Sequence, residues 1–248
     1  MISSFNANAL PFVHKLESVF KLTQEEHEAV LTLPIQVAEL KADQDIVREG
    51  DRPTRCFVII EGVTCVYKMA GDGKRQICAF HIPGDAPDLQ SLHLDVLDIN
   101  VGTLTPCKVG FIRHEDIRRL CNAYPRIGSA LWRNTLIDAA VFREWMTSIG
   151  RRDAYCRIAH LLCELVVKFR SMELVDDYII PFPITQGEIG DALGLSNVHV
   201  NRSMMSLREH GLISLKNGQL QVLDWEGLQS AGDFDPTYLH LVNVEQAA

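Results

Sequence analysis

The segment from Ser196 to Arg202, "SNVHVNR", concentrates side chains that can recognise the edges of nucleic-acid bases. Asparagine can bond bidentately to adenine, arginine can do the same to guanine, and valine can contact the methyl group of thymine. A histidine on an outward helix face can contact a base or a phosphate, although a solvated histidine is equally compatible with the pattern. The segment therefore predicts a surface that reads double-stranded DNA.

Two helices joined by a turn of three or four residues are predicted around this segment, in residues 184–213. Thr185 and Glu188 have the spacing of a capping box, which starts a helix. Gly194 suits a helix end, where a positive φ costs glycine little, and Ser196 suits the start of the second helix. The second helix is expected to turn these residues inward: Val200, Met204 and Leu207.

A β-hairpin is predicted directly after the second helix, where Asn217-Gly218 separates two short β-prone runs. Two helices followed by such a hairpin indicate a winged helix-turn-helix, in which the second helix enters the major groove with its N-terminal residues. The alternative is a winged helix that contacts only proteins. The residues predicted to contact DNA are Thr185, Gln186, Ser196, Asn197, Val198, His199, Asn201 and Arg202.

The first half of the chain has a different pattern. Between residues 35 and 111, short β-prone runs alternate with turn residues, and glycines recur at positions 50, 62, 73 and 84. Regular short strands at this spacing predict an antiparallel sandwich or barrel, of which a jelly roll is one form. The spacing alone is equally compatible with other all-β domains.

A long helix is predicted after Tyr124-Pro125, in a segment without internal proline that carries two apolar stripes. One face is expected to pack on the β domain and the other to pair with a second copy in a homodimer; a helix buried in its own domain is the alternative. One stripe consists of Trp132, Leu136, Ala139, Phe142 and Met146. The other, to which we assign dimerisation, consists of Ile127, Leu131, Ile137, Val141 and Trp145.

These segments, with "GRRDA" and "RIAHLL" at residues 150–162 and "LREHGLI" at residues 207–213, resemble the CRP/FNR family of bacterial transcription regulators over residues 20–225. The resemblance implies an α+β fold. Its parts are an N-terminal antiparallel β-roll of the jelly-roll, cyclic-nucleotide-binding-like type (1–122), a long dimerisation helix (123–150) and a C-terminal winged helix-turn-helix (151–248).

The resemblance also implies a function. The protein is expected to bind a palindromic operator as a homodimer under allosteric control by a signal in the β-roll, with RNA polymerase as a candidate partner. Arg202 matches an arginine that contacts the operator in this family. Val198 stands where a glutamate is common, so we expect a different operator consensus.

The effector is not identified by these residues. Cyclic-nucleotide-binding members carry a Gly-Glu-Leu run followed by an arginine that holds the phosphate, whereas residues 83–107 contain no arginine and have Asp85, Asp88, Asp95 and Asp98. An anionic cyclic phosphate would be repelled there, so we expect no cAMP. Iron–sulfur members use closely spaced N-terminal cysteines, and no cysteine precedes Cys56. Haem or another small effector stays open.

An enzyme is the competing class, in the form of a cupin-like metal-dependent domain. Cys78, His81 and His93 match no closed metal-site spacing, and the compact H-x-H grouping of such enzymes is missing. A nucleophile elbow and a phosphate-cradling glycine loop are also missing. We therefore expect core and surface roles for these residues, no metal and no enzymatic activity.

Composition restricts the partners and the cellular compartment expected for the protein. The 248 residues carry a formal net charge of -8, which argues against nucleic acid only weakly because a small docking face can differ from the whole chain. The seven cysteines are scattered without a C-x-x-C pair, which is typical of reduced thiols. The chain contains no apolar run of membrane-spanning length and no secretory signal at residues 1–17, so we expect a cytoplasmic protein.

Overall fold

The computed structural model describes residues 6–175 and 178–242, so residues 1–5 of the segment considered for a secretory signal lie outside it. The described chain opens with a short 3-10 helix at Ala7–Ala9, followed by helices α1 (Leu10–Val19) and α2 (Gln24–Leu31), which were not predicted. A capping box starts α2: the Thr23 hydroxyl accepts a hydrogen bond from the Glu26 N–H, and the Glu26 carboxylate accepts one from the Thr23 N–H.

Seven short strands of the β-roll follow these helices, and they confirm the predicted antiparallel β domain. They form two sheets with the strand orders β1-β7-β3 and β2-β6-β4-β5. β7 pairs antiparallel with β1 and β3, and β6 pairs antiparallel with β2 and β4. The strands are β1 (Gln36–Leu40), β2 (Asp45–Val47), β3 (Arg55–Glu61), β4 (Thr64–Met69), β5 (Arg75–His81), β6 (Asn100–Thr103) and β7 (Cys107–Arg113).

Two helices come next, α3 (His114–Ala123) and the long α4 (Pro125–Arg151). The chain divides into two compact units: residues 1–67 with 80–139, and residues 68–79 with 140–248. The predicted boundaries made α4 a separate part, whereas the structure divides this helix between the units. Residues 68–79, predicted within the β-roll part, group with the second unit.

The apolar stripe of α4 that was assigned to dimerisation faces the interior of the chain itself. Its five members are only 1–7% exposed: Ile127, Leu131, Ile137, Val141 and Trp145. Side chains that are already buried leave no surface for a second copy, so this assignment is corrected. The other stripe is open, since Trp132, Leu136, Phe142 and Met146 are 53–69% exposed.

The second unit contains the predicted winged helix-turn-helix. Its helices are α5 (Ala154–Ser171), α6 (Gln186–Leu193), α7 (Asn197–Glu209) and α8 (Trp225–Gly232). Its sheet has the order β8-β10-β9, with both pairs antiparallel, and is formed by β8 (Ile179–Pro181), β9 (Ile213–Lys216) and β10 (Gln219–Val222). The third strand β8 and the helix α8 were not predicted.

Among the described helices, none combines the length and apolar character that crossing a membrane requires.

Candidate nucleic-acid interface

The first helix of the motif, α6, begins as the sequence predicted. Thr185 is its N-cap, and the hydroxyl of Thr185 accepts the Glu188 N–H while the Glu188 carboxylate accepts the Thr185 N–H at 2.7 Å. Gly194 ends the helix in the left-handed conformation with φ of 64°. Gly190 is also constrained, because a Cβ at that position would lie 2.7 Å from the Leu195 carbonyl oxygen. The absence of that Cβ lets the turn close against α6.

The second helix, α7, starts at Ser196, whose side chain accepts the His199 N–H. Its inward face is completely buried at Val200 and Leu207 and almost so at Met204, as predicted. Burial of these three side chains determines which face of α7 points outward.

The outward face of α7 forms a shallow groove of about 630 Å³. Val198 stands out there, because it is 74% exposed, more than any other large apolar side chain that the structure describes. Burying that side chain against a thymine methyl would be favourable. The residues that line the groove are Asn197, Val198, Asn201, Arg202, Met205, Ser206 and Glu209.

Arg202 is the cation of this groove. Its side chain is exposed, and within residues 6–175 and 178–242 it has neither a hydrogen bond nor an ion pair. A planar guanidinium with all its N–H donors available can bind the O6 and N7 acceptors of guanine bidentately. The guanidinium of Arg202 is therefore available to bind a base or a phosphate.

Asn201 is held in position by the first helix of the motif. Its amide nitrogen donates to the Gln186 side-chain oxygen at 3.4 Å, which links the outward face of α7 to the first residue of α6. His199 is held by Ser196, the N-cap residue of α7, whose hydroxyl lies 3.2 Å from His199 Nδ1. The hydroxyl of Thr185 is engaged in the cap of α6. The predicted contact residues thus lie at one end of the motif, but Thr185 and Ser196 also have structural partners.

The C-terminal end of α6 is braced by other parts of the second unit. Arg157 of α5 donates to the Leu193 carbonyl at 3.0 Å, and Gln76 donates to the Ala192 carbonyl at 3.0 Å. Arg75 forms an ion pair with Asp191 at 2.9 Å. These bonds satisfy carbonyls that a helix end leaves free and fix the helix that supports α7.

The wing is a tight hairpin between β9 and β10. Asn217 and Gly218 both have positive φ, 53° and 73°, which matches the two-residue turn that the sequence predicted. Lys216 next to this turn is exposed and could contact a phosphate.

Met205, Ser206 and Glu209 line the groove but were absent from the predicted contacts. Helical spacing predicts them, since Met205 and Ser206 follow Arg202 by three and four residues and Glu209 follows Met205 by four, which places all three on the same face. The prediction stopped at the first two turns of the helix, where base contacts are usually made.

In the β-roll, two of the four aspartates of residues 83–107 are buried, whereas Asp95 and Asp98 are exposed. Asp85 and Asp88 are 4% and 1% exposed. The Lys15 ammonium lies 2.8 Å from the Asp85 carboxylate, which also accepts the Ile82 N–H at 3.1 Å. Asp88 accepts the Phe57 N–H at 3.0 Å, and burial raises the pKa of Asp88 to about 7.

Two cations beside residues 83–107 are engaged by the protein itself. The Lys15 ammonium is paired with the Asp85 carboxylate, and the Arg118 guanidinium donates to the Leu92 carbonyl at 2.7 Å. A phosphate placed there would compete with that carboxylate, without an arginine from the segment to hold it.

The candidate metal ligands do not form a cluster. His81 is buried, with its Nδ1 at 3.3 Å from the Asp85 carboxylate, whereas His93 is exposed and Cys78 is half-buried. In the part of the chain that the structure describes, no three His, Cys, Asp or Glu residues are grouped to hold a metal ion.

Two family models match the chain. The model of the Crp-like helix-turn-helix domain matches residues 156–231, and the model of the cyclic nucleotide-binding domain matches residues 37–124. Together they cover the interface described above and most of the β-roll.

Characterised proteins of similar sequence are transcription regulators. The chain is 27% identical over 183 residues to the nitrogen fixation regulation protein FixK of Bradyrhizobium diazoefficiens, covering 73% of this chain and 75% of that protein. It is 26% identical over 201 residues to the transcriptional activator protein FnrL of Cereibacter sphaeroides, covering 78% and 79%. The fold is similar to that of FixK2 from Bradyrhizobium japonicum, with a TM-score of 0.72, 22% identity and coverage of 80% and 98%.

Proposed function

We propose that this chain, which belongs to the CRP/FNR family of transcription regulators, binds a palindromic DNA operator as a homodimer and reads each half-site with α7. The observation that carries the proposal is the exposed face of α7, where Arg202 lacks a partner among the described residues and Val198 is 74% exposed. Val198 and Arg202 are four residues apart on α7 and therefore lie on the same face, where both can reach one base step.

The composition of this face suits DNA better than protein. Asn197, Asn201 and Arg202 can each make two hydrogen bonds to a base edge, and Val198 can contact a thymine methyl. Helix α7 carries two arginines and one glutamate, although the chain as a whole has a net charge of -8. The half-site is proposed to contain guanine, adenine and thymine at the positions that these side chains reach.

The exposed stripe of α4 is proposed as the dimer interface. Trp132, Ala139 and Met146 recur every seven residues, and Leu136 and Phe142 lie beside them. A seven-residue repeat of exposed apolar side chains on a 27-residue helix is suited to a parallel helix pair. Such a pair would place two copies of α7 on the same side of the DNA, as a palindrome requires.

The signal is proposed to be something other than cAMP or an iron–sulfur cluster. The pairing of Lys15 with Asp85 supports this for cAMP, and the cysteine positions support it for the cluster. Regulation by a signal in the β-roll would act through α4, which contributes residues to both units. A regulator that acts on DNA also fits the cytoplasm, with RNA polymerase as a candidate partner and without a catalytic role.

In vitro selection of random double-stranded DNA by the purified full-length protein tests the proposal. An enriched inverted repeat, with half-sites about one helical turn apart, is the expected result. Enrichment of unrelated sequences by a folded dimer would contradict the proposed function and would favour a winged helix that contacts proteins. An absorption spectrum and metal analysis of the same sample test the cupin-like enzyme.

A further inference from the structure

A short C-terminal segment, residues 232–239, packs back onto α5 after the matched helix-turn-helix residues end at 231. Gly232 lies so close to α5 that a Cβ there would be 2.7 Å from the His160 backbone nitrogen. Phe234 and Tyr238 both contact the His160 ring, Phe234 edge-on at 5.1 Å and Tyr238 stacked at 5.8 Å between centroids. The segment therefore surrounds one buried histidine.

A chain of hydrogen bonds connects this segment to the end of α4. His160 Nδ1 lies 3.0 Å from the Gly232 carbonyl oxygen, and His160 Nε2 lies 3.1 Å from the Tyr238 hydroxyl. That hydroxyl donates to the Glu164 carboxylate at 2.8 Å. The same carboxylate oxygen accepts the indole N–H of Trp145, which belongs to α4, at 3.0 Å.

A second connection runs along the surface beside the first. Arg152 donates to the Glu144 carboxylate of α4 at 2.6 Å and to the Asp233 carboxylate at 3.2 Å. Residues 232–239 thus reach α4 by two sets of hydrogen bonds, one through Glu164 and one through Arg152. We call these residues the C-terminal clasp.

The hydrogen-bond chain through His160, Tyr238 and Glu164 has one hydrogen fewer than its acceptors can accept. The Gly232 carbonyl only accepts, so His160 carries hydrogen on Nδ1. With Nε2 unprotonated, that nitrogen and the Glu164 carboxylate compete for the single hydrogen of Tyr238. A second proton on His160 would let Nε2–H donate to Tyr238 while Tyr238 donates to Glu164. That proton, however, places a cation on a ring that is 2% exposed, and the cost of burying the cation exceeds the gain of one hydrogen bond, so protonated His160 is more stable when the clasp is open to water.

The charged and titratable groups around His160 come from α4, α5, the connection between these helices and the C-terminal clasp. Glu144 lies 3.7 Å from Nε2, Glu164 and Tyr238 are joined in the chain, and Arg152 with Asp233 completes the set. Burial lowers the pKa of His160, although Glu164, the Gly232 carbonyl and Glu144 favour the charged form and Arg152 opposes it. Burial also holds the pKa of Tyr238 well above its usual range, so Tyr238 remains a hydroxyl donor.

We propose that the C-terminal clasp holds the end of α4 against α5 and thereby positions the helix-turn-helix for the operator, and that protonation of His160 opens the clasp. The inference rests on the proposed function, since it concerns how α7 is presented to DNA. His160 and Tyr238 are positioning residues that act through α5, and neither lies on the exposed face of α7. Acidification is expected to weaken operator binding without any change in that face.

The test compares the Tyr238→Phe and His160→Gln variants with the unsubstituted protein, all of full length. The matched control for the exchange measurement is Tyr155→Phe, which removes another tyrosine–histidine contact of the second unit, 2.9 Å from Tyr155 to His210 at the end of α7, without involving α4. Operator affinity is measured between about pH 7.5 and about pH 5.5, on either side of the ordinary pKa of histidine. Amide hydrogen exchange of residues 143–152 reports on the end of α4 directly.

Tyr238→Phe is expected to speed exchange in residues 143–152 and to weaken operator binding on the order of fivefold, the effect of one hydrogen bond. His160→Gln is expected to flatten the pH dependence of operator affinity. The clasp would be overturned if the exchange rates and pH profiles of the two variants matched those of the unsubstituted protein. An equal increase of exchange in Tyr155→Phe would also overturn it. If the unmodified protein binds no selected DNA, the proposed function fails, and the exchange measurement still decides whether the clasp exists.

Discussion

The side-chain amide of Asn201 donates to Gln186 at 3.4 Å, so the outward face of α7 is bonded to the first residue of α6. The bond uses one of the two amide hydrogens of Asn201 and leaves its oxygen and second hydrogen available to an adenine edge. Gln186 was predicted as a DNA contact in its own right, and its position also gives it a role in orienting Asn201. Arg202, adjacent to Asn201 in sequence, has no such support among the described residues.

Arg202→Ala should weaken binding to the selected operator by about 1–3 kcal/mol, because it removes a bidentate base contact. Fluorescence anisotropy with operator and random DNA measures the change. Arg208→Ala is the matched control, since Arg208 lies on the same helix but donates to the Met204 carbonyl at 3.3 Å and does not line the groove. An equal loss on random DNA would mean that Arg202 only contacts phosphate.

Leu136→Glu should give a monomer, because Leu136 is 56% exposed in the apolar stripe proposed as the dimer interface. Analytical ultracentrifugation measures the mass. Leu94→Glu provides the control: Leu94 is 50% exposed but lies outside α4, so the dimer should persist. Val141→Glu should instead unfold the chain, because Val141 is 7% exposed and a buried carboxylate there would be unpaired. A folded Val141→Glu monomer would return the interface to the buried stripe.

Lys15→Met should destabilise the β-roll by about 3–5 kcal/mol, because it leaves the Asp85 carboxylate buried without its cation. Denaturant unfolding measures this change. Lys74→Met is the control, since its ion pair with Asp72 has the same kind of geometry but is exposed to solvent and should contribute little to stability. Similar losses from the two substitutions would show that the Lys15 pair is not buried in solution.

Asp88→Asn should change the stability of the β-roll least near about pH 4 and stabilise it increasingly as pH rises from about 4 to about 7, with a constant gain above that. Burial raises the folded-state pKa of Asp88 to about 7, so its favourable contribution is complete below the unfolded value and is lost as pH rises through about 7. An asparagine oxygen can still accept the Phe57 N–H. Unfolding free energies across this range should differ by on the order of 1–3 kcal/mol at the alkaline end. A stabilisation that is independent of pH would contradict an ionising Asp88.

Local patterns predicted the helix-turn-helix because its decisive residues lie close together in the sequence. Thr185 and Glu188 form the cap, Gly194 forms the turn and Asn217 with Gly218 forms the wing, and the structure has each of these features. Each depends on neighbours within a few residues, which a single sequence displays directly. The antiparallel β domain followed from turn spacing in the same way.

The assignment of the two stripes of α4 was wrong because periodicity does not say what covers a face. Val141 and Trp132 belong to equally apolar stripes, yet Val141 is 7% exposed and Trp132 is 69% exposed. Lys15 and Asp85 lie far apart in the sequence, so no local pattern predicted that they pair. Helix α2 differs, because Thr23 and Glu26 have the same capping-box spacing as Thr185 and Glu188, so a local pattern does mark its start.

The most direct test of the central claim is operator phasing. The affinity of the purified protein is measured for the selected inverted repeat and for versions with about 5 or about 10 base pairs inserted between the half-sites. A homodimer that reads both half-sites with α7 should lose specific binding at half a turn, because one half-site then faces away. Equal affinity for all spacings, or no loss when one half-site is scrambled, would contradict a dimeric, sequence-specific regulator.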